Sequence, residues 1–190
     1  MMIPCIRTLT AAELPKYRDH LLRLDAEDRR LRFGFRMSDQ AVRDHVLGID
    51  TEADRILVQV DDDLNVIAAV HIAAGDPGTV EYAFSVDRPW GGRGLGRQLF
   101  EHAILWARNR GLRDAFIYYL VDNRAMRRLA REAGMTSHNE AGEIEGRLRL
   151  EPPTPLSYLR ELATERLAMY DYSLKLGRRG RRPLVAQPAI

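Results

Sequence analysis

The stretch from Val80 to Gly96, VEYAFSVDRPWGGRGLG, gathers the residue types of this chain that are best suited to chemistry. Its second half contains four glycines: Gly91, Gly92, Gly94 and Gly96. Glycine permits positive φ angles and lets a ligand approach the backbone closely. If a helix follows the loop at once, several N–H groups point toward one anion, which is a geometry that holds phosphate. The stretch therefore predicts a binding loop for a ligand that carries phosphate groups.

Two widespread phosphate-binding loops do not fit this stretch. A P-loop ends in Gly-Lys followed by Ser or Thr, whereas Gly96 is followed by Arg97 and Gln98. A dinucleotide-binding fingerprint that begins at Gly92 would need Gly or Ala where Arg97 stands. That fingerprint also normally opens its domain, whereas this loop follows several predicted strands. Both classes of nucleotide-binding protein are therefore disfavoured.

The loop resembles the CoA-binding loop of the GNAT acyltransferases, whose usual pattern is Arg or Gln-x-x-Gly-x-Gly or Ala. The match is Gly91-Gly92-Arg93-Gly94-Leu95-Gly96, with Gly91 in the place of the Arg or Gln. A second motif of that family is an Asn that caps a helix ending in Gly-Phe, and Asn123 to Met135 is similar to it. One predicted helix and one predicted strand separate the two motifs, as in the family. The likeness covers roughly Arg55 to Leu150, and the chain is identified as a member of this superfamily.

The resemblance implies an acyl-CoA-dependent N-acetyltransferase that transfers the acetyl group of acetyl-CoA directly to a primary amine. The acceptor is either a small-molecule amine or a protein lysine. In the family, the loop amides cradle the pyrophosphate and the preceding strand holds the pantetheine arm. The cofactor-binding residues that this implies are Val86, Gly91, Gly92, Arg93, Gly94, Leu95, Gly96, Arg97 and Asn123. No metal is expected, because the five histidines and one cysteine show no metal-ligand spacing.

Glu81 is the candidate catalytic base. An amine that is an ammonium ion at neutral pH must lose a proton before it attacks a thioester. Strand alternation places Glu81, Ala83 and Ser85 on one face, and Val80 to Val86 resembles bacterial protein-lysine acetyltransferases in which a glutamate at this place acts as base. The alternative is a glutamate that is solvated at a sheet end or paired with an arginine. The N–H at or near Val86 is the expected donor to the thioester oxygen.

For the remaining candidate residues, the sequence either leaves two interpretations open or predicts no chemical role. Asn123 is a good helix N-cap, and it is also a candidate hydrogen-bond partner of the pantetheine arm. The tyrosine that serves many family members as general acid is replaced by Ala130. No Ser-His-Asp or Cys-His nucleophile motif is visible, so acylation of the enzyme itself is not expected. The arginines at 29, 30, 32 and 36 either attract an acidic acceptor or solvate a helix end, and the second interpretation is favoured.

The hydrophobic pattern predicts an α+β fold, in which helices flank a mixed central sheet of about six to seven strands. The predicted strands are Cys5–Leu9, Arg55–Val60, Val66–Ala74, Val80–Val86, Ala115–Leu120, Thr136–Ala141 and Glu143–Leu150. The predicted helices are Ala11–Asp25, Asp39–Leu47, one from the glycine loop to Gly111, and one from Asn123 to Gly134. The charged segment Asp25–Arg32 is predicted to be a connection.

Residues 1–150 are predicted to form the acetyltransferase domain. Residues 151–176 form a helix that packs on the domain or on a second subunit, which leaves a homodimer open, and residues 177–190 form a basic, flexible tail. The net charge of the chain is +2. Nucleic acid is not expected as a partner, because no aromatic residues are interleaved in the basic tail. No apolar run approaches the roughly 20 residues that span a bilayer, so no membrane partner and a cytoplasmic location are expected. A non-catalytic acyl-CoA-binding sensor or scaffold is the alternative function.

Overall fold

A mixed sheet of seven strands organises the part of the chain that the computed structural model describes, residues 5–180. The strands are β1 (Arg7–Thr8), β2 (Arg55–Val60), β3 (Val66–Ala74), β4 (Thr79–Val86), β5 (Asp114–Leu120), β6 (Thr136–Glu140) and β7 (Glu143–Arg149). Their order in the sheet is β1-β2-β3-β4-β5-β7-β6. Strands β4 and β5 are parallel, and the other neighbours are antiparallel. The predicted α+β architecture is confirmed.

Six α-helices surround the sheet in the described residues. They are α1 (Leu14–Arg23), α2 (Ala26–Phe33), α3 (Asp39–Leu47), α4 (Leu95–Asn109), α5 (Arg124–Glu132) and α6 (Pro155–Gly180). The prediction of a connection after Asp25 is wrong, since this segment forms α2. The Asp25 carboxylate accepts hydrogen bonds from the N–H groups of Glu27 and Asp28 at 3.0 and 2.8 Å, and Gly34 ends the helix with a φ of 81°. Capping at both ends offsets the low apolar content of the segment.

Each face of the sheet packs against its own set of helices. On one face, α4 and α5 cover a cluster that includes Tyr82, Leu99 and Phe100. On the other face, α1 and α3 cover a cluster that includes Tyr17 and Val42. Because side chains alternate along β4, successive residues of this strand face different helices.

The sheet opens between its two parallel strands. Residues Thr79, Val80 and Glu81 of β4 pair with Asp114, Ala115 and Phe116 of β5, and the register between these strands ends there. Strand β5 continues beside β7 as far as the pair Leu120–Glu143, while β4 continues beside β3 as far as the pair Ala68–Val86. The two halves of the sheet therefore diverge toward the glycine loop and leave a gap between them.

Helix α6 lies on the domain through a face that is polar or small. Asn109 Nδ2 donates to Glu161 Oε2 at 2.6 Å, and the Tyr172 hydroxyl lies 3.0 Å from Glu13 Oε1. The opposite face is exposed and carries large apolar side chains: Leu156, Leu159, Leu162, Leu167, Met169, Tyr170 and Leu174. The helix runs from 155 to 180 rather than from 151 to 176, so residues 177–180 of the predicted tail are helical. The remaining tail residues lie outside the described range. No helix within residues 5–180 has the length and apolarity needed to cross a bilayer.

Candidate active site

A cleft of about 650 Å³ lies where the gap in the sheet meets the glycine loop. Helix α2, the end of β4, the loop, the first turn of α4 and one side of α5 form its walls. Most of the predicted cofactor-binding residues line it: Val86, Gly91, Gly92, Gly94, Leu95, Gly96, Arg97 and Asn123. Residues of one predicted binding loop and of one predicted helix cap thus share a single cavity.

The glycine loop leaves both space and hydrogen-bond donors beside the cleft. Gly92 and Gly94 have φ angles of 71° and 80°, and Gly94 is the N-cap of α4. A Cβ atom built on Gly92 or Gly96 would meet no atom within 4 Å, so the loop borders open space. The first amides of α4 have no acceptor within the helix, and glycine offers no side-chain cap. These amides are therefore available to an anion.

The two ends of the cleft differ in polarity. Arg97 and Arg128 line one end, are 69% and 74% exposed, and pair with Glu101 and Glu132 at 3.0 and 2.8 Å. The lining also includes six large apolar side chains, which are Leu24, Leu31, Phe84, Trp90, Met126 and Leu129, and polar residues of α2 and β4 such as Arg32 and Ser85. Such a cavity suits a ligand that has an anionic end and a long uncharged arm.

Strand β4 presents backbone donors to the gap. The Asp87 N–H donates to Ile67 O of β3 at 2.8 Å. Because the direction of N–H groups alternates along a strand, the N–H groups of Val86 and Phe84 point away from β3. They face the side where β5 no longer pairs with β4. The predicted donor at Val86 therefore lies on the edge that borders the gap.

Glu81 lies at the closed end of the gap. It forms the last pair between β4 and β5, opposite Phe116, and it is not part of the cleft wall. Its side chain reaches the surface, yet the surrounding protein removes enough water to raise the pKa of its carboxyl group above the usual range. The positive charge of Arg32 opposes this rise in pKa, and the negative charge of Glu143 adds to it.

Two other predicted residues make contacts within the protein. The Arg93 guanidinium stacks over the Trp90 ring at 4.7 Å and donates to Pro89 O at 3.2 Å, so it braces the loop outside the cleft wall. Asn123 is 5% exposed, and its Oδ1 accepts from the Met126 N–H at 3.1 Å. Its Nδ2 lies 3.4 Å from Leu31 O. The N-cap interpretation of Asn123 agrees with these contacts, which also tie α5 to α2.

A family model described as the acetyltransferase (GNAT) family matches residues 19–135 of the sequence. The chain belongs to the GNAT acetyltransferase family. It is therefore an acyl-CoA-dependent acetyltransferase, and members of this family use acetyl-CoA to acetylate amine acceptors. The matched residues include the second half of α1, α2, the glycine loop and the Asn123 motif, so they span every wall of the cleft.

Solved structures share the fold of this GNAT protein. The GNAT domain of S. lividans PAT is 24% identical, with a TM-score of 0.65 over 76% of this chain and 89% of that one. The ribosomal-protein-S18-alanine N-acetyltransferase from Escherichia coli is 17% identical, with a TM-score of 0.61 over 80% and 97%. A spermidine/spermine N-acetyltransferase from Vibrio cholerae is 16% identical, with a TM-score of 0.56 over 76% and 92%. A sequence comparison with curated proteins found no match.

Beside the GNAT cleft lies a constellation that sequence reasoning missed, of which Ser85 lines the cleft. His20 of α1 lies with Nε2 2.8 Å from Ser85 Oγ and with Nδ1 2.7 Å from Asp87 Oδ1. The absence of a Ser-His-Asp nucleophile motif from the sequence does not prevent this contact in the folded chain. The fold brings together residues that are 65 or more positions apart in sequence, and no local motif announces them.

The arginines of α2 and Ala130 are buried or partly buried around the GNAT site. The solvated-helix interpretation is wrong for Arg32, which lines the cleft and donates to the Tyr17 hydroxyl at 3.3 Å. It is also wrong for Arg29, which is 11% exposed and donates to Leu22 O and Met37 O. Ala130, at the usual place of the acid, is 1% exposed within the core. Among residues 5–180, no group of three or more potential ligand side chains could hold a metal, and the absence of a metal from the reaction stays a prediction.

Proposed function

We propose that this protein transfers the acetyl group of acetyl-CoA directly to a primary amine, with Glu81 as the general base. The observation that carries the proposal is the alignment of three features along one gap. The amide-rich loop lies at the open end, the Val86 N–H faces the middle, and Glu81 lies where the strands meet.

The residues of the cleft fit acetyl-CoA. The amides of the loop and of the first turn of α4 would hold the pyrophosphate, and Arg97 and Arg128 would balance the remaining phosphate charge. The apolar wall and the Val86 N–H would hold the pantetheine arm and the thioester oxygen, with Asn123 beside them. Bound acetyl-CoA supplies an activated acetyl group, and the protein supplies orientation and proton transfer.

Glu81 would accept the proton that the ammonium form of the acceptor must lose. A carboxylate with an ordinary pKa is a weak base at neutral pH, and the raised pKa of Glu81 brings it closer to the working range. The positive charge of Arg32 limits that rise in pKa, which favours the carboxylate form. Both a small amine and a protein lysine remain candidate acceptors. We place the reaction in the cytoplasm.

We also propose that the chain forms a homodimer through α6. Its outward face exposes seven large apolar side chains, at 43% to 74% of their surface. A group of exposed apolar side chains on one face of a long helix is typical of an interaction surface. A second copy is the simplest occupant, since two-fold homodimers are the commonest assemblies.

The decisive experiment measures thiol release from acetyl-CoA against a panel of small amines, polyamines, amino acids and lysine peptides. Glu81→Gln should lower kcat/KM for the accepted amine by roughly 10²–10⁴-fold, because a positioned base usually contributes that much. The wild-type rate should rise with pH through the raised pKa of Glu81, and the variant should lack this rise. At high pH, where the amine is already neutral, the two rates should converge.

The control is Glu143→Gln, which removes a neighbouring carboxylate and leaves the base in place. Since the Glu143 charge raises the pKa of Glu81, its loss should move the rise in rate to lower pH. Unchanged activity of Glu81→Gln at neutral pH would refute the role of this residue. Donor binding without turnover on any amine would favour the sensor or scaffold function instead.

A further inference from the structure

The buried imidazole of His20 joins the cleft to a carboxylate. His20 is 0% exposed, and its two ring nitrogens contact Ser85 Oγ and Asp87 Oδ1 at 2.8 and 2.7 Å. Ser85 is 6% exposed and lines the cleft. The second oxygen of Asp87 pairs with Arg23 Nη2 at 3.0 Å. These contacts form a continuous path from the cleft, through the core, to a partly exposed ion pair.

The charge state of Asp87 orients this path. Burial tends to raise the pKa of Asp87, but the His20 and Arg23 contacts outweigh burial and lower it. Asp87 is therefore a carboxylate, and its Oδ1 lies 2.7 Å from Nδ1 of His20 in ion-pair contact, without the alignment of a hydrogen bond. With a proton on Nε2, His20 would donate to Ser85 Oγ. The Ser85 hydroxyl hydrogen would then be free to point into the cleft.

The usual acid position cannot supply a proton to the leaving thiolate, because it is Ala130 in the core. Ser85 is the residue next to Val86, whose N–H faces the gap. Neighbouring Cα atoms are about 3.8 Å apart, so a group held by the Val86 N–H lies within reach of the Ser85 side chain.

We propose that Ser85 protonates the leaving CoA thiolate and that His20, held by Asp87, replaces the proton on Ser85. This proposal rests on the proposed acetyl transfer. As the carbon–sulfur bond breaks, its electron pair goes to sulfur, which takes the hydrogen of Ser85 Oγ. His20 Nε2–H then transfers its proton to Oγ. His20 becomes neutral and is reprotonated from solvent, while the proton accepted from the amine leaves Glu81 separately. Ser85 is the catalytic residue here, and His20 and Asp87 are positioning residues.

The variants Ser85→Ala, Ser85→Thr and His20→Gln test the proposal. Ser85→Ala should lower kcat by roughly 10²-fold, the lower range for a general acid, with little change in the KM for acetyl-CoA. Ser85→Thr keeps a hydroxyl and should restore most of the rate. Ser157→Ala is the matched control, because Ser157 is also 6% exposed but bonds to Asn109 between α4 and α6. That variant should lose stability and keep its kcat.

The pH dependence of kcat distinguishes a proton relay through His20 and Ser85 from a purely structural role of these residues. The groups that face His20 are Ser85 of β4, Asp87 just after β4, Arg23 and Tyr17 from its own helix, and Arg32 of α2 through the Tyr17 hydroxyl. Wild-type kcat should fall on the alkaline side, because a general acid acts only while it carries its proton. Ser85→Ala and His20→Gln should both lose this alkaline fall, whereas Ser157→Ala should keep it.

Two outcomes would overturn the relay. One is a Ser85→Ala enzyme that keeps its kcat and its alkaline fall, and the other is an acetyl group found on Ser85 by mass spectrometry, which would make it a nucleophile. Failure of the proposed function would look different, because the wild type itself would then acetylate no amine. The two failures are therefore distinguishable.

Discussion

At the scale of single residues, Gly94 is the position where backbone conformation and ligand binding depend on each other most directly. Its φ of 80° disfavours any other residue, and its place as N-cap puts it beside the free amides of α4. Gly94→Asp should abolish the rise in melting temperature that acetyl-CoA gives the wild type, because the added carboxylate repels the phosphates. Thermal unfolding with and without acetyl-CoA measures this.

Gly111→Asp is the control for that variant. Gly111 has a φ of 72° and open space around its Cα, but it follows the far end of α4. The substitution should cost a similar amount of stability and leave the acetyl-CoA response intact. Loss of the response in both variants would mean that backbone strain, rather than charge at the loop, explains the effect.

The sequence predicted the residues that are close together along the chain and missed those that the fold brings together. The glycines and Asn123 carry local conformational signals, so their positions along the cleft could be anticipated. The sequence pattern predicts that His20 is a polar residue of an amphipathic helix and that Ser85 is part of a strand. Their contact spans 65 residues and depends on how α1 crosses β4, which no local pattern specifies.

At the scale of elements, α2 is the part of the site that sequence reasoning described incorrectly. The segment is rich in charge, so its hydrophobic pattern gave no helical signal. Its ends carry the information instead, through the Asp25 cap and Gly34. The helix contributes Asp28, Leu31 and Arg32 to the cleft wall. Arg88 beside the loop pairs with Asp25 and Asp28 at 2.7 and 3.2 Å, which fastens α2 over the cavity.

Asp25→Ala should therefore affect donor binding as well as stability. The variant loses the cap of α2 and one ion pair to Arg88, and a lost cap costs about 0.5–2 kcal/mol. We expect a lower melting temperature and a higher KM for acetyl-CoA. Ser38→Ala is the control, since Ser38 caps α3 through the Ala41 N–H at 3.2 Å and α3 does not line the cleft. Equal KM values in the two variants would contradict a binding role for α2.

At the scale of the whole molecule, α6 turns its apolar face away from the domain. Light scattering should give a molar mass of about twice the 21.7 kDa of the chain. Leu162→Glu should yield a monomer, because it places a charge in the middle of that face. Leu47→Glu, at an 83% exposed position on α3, should remain a dimer. A monomeric wild type would refute the proposed homodimer. It would leave the proposal of acetyl transfer standing.

The divergence of β4 and β5 has a mechanical consequence. The two halves of the sheet are joined by three residue pairs between β4 and β5. Beyond these pairs, the edge of β4 that faces β5 has no neighbouring strand. A donor that accepts the Val86 and Phe84 amides would act as a temporary eighth strand. The free energy of donor binding would then also hold the two halves of the sheet together. When the donor binds, hydrogen exchange should slow both at those amides and in the half of the sheet formed by β5, β7 and β6. Exchange in both places should recover when the donor leaves.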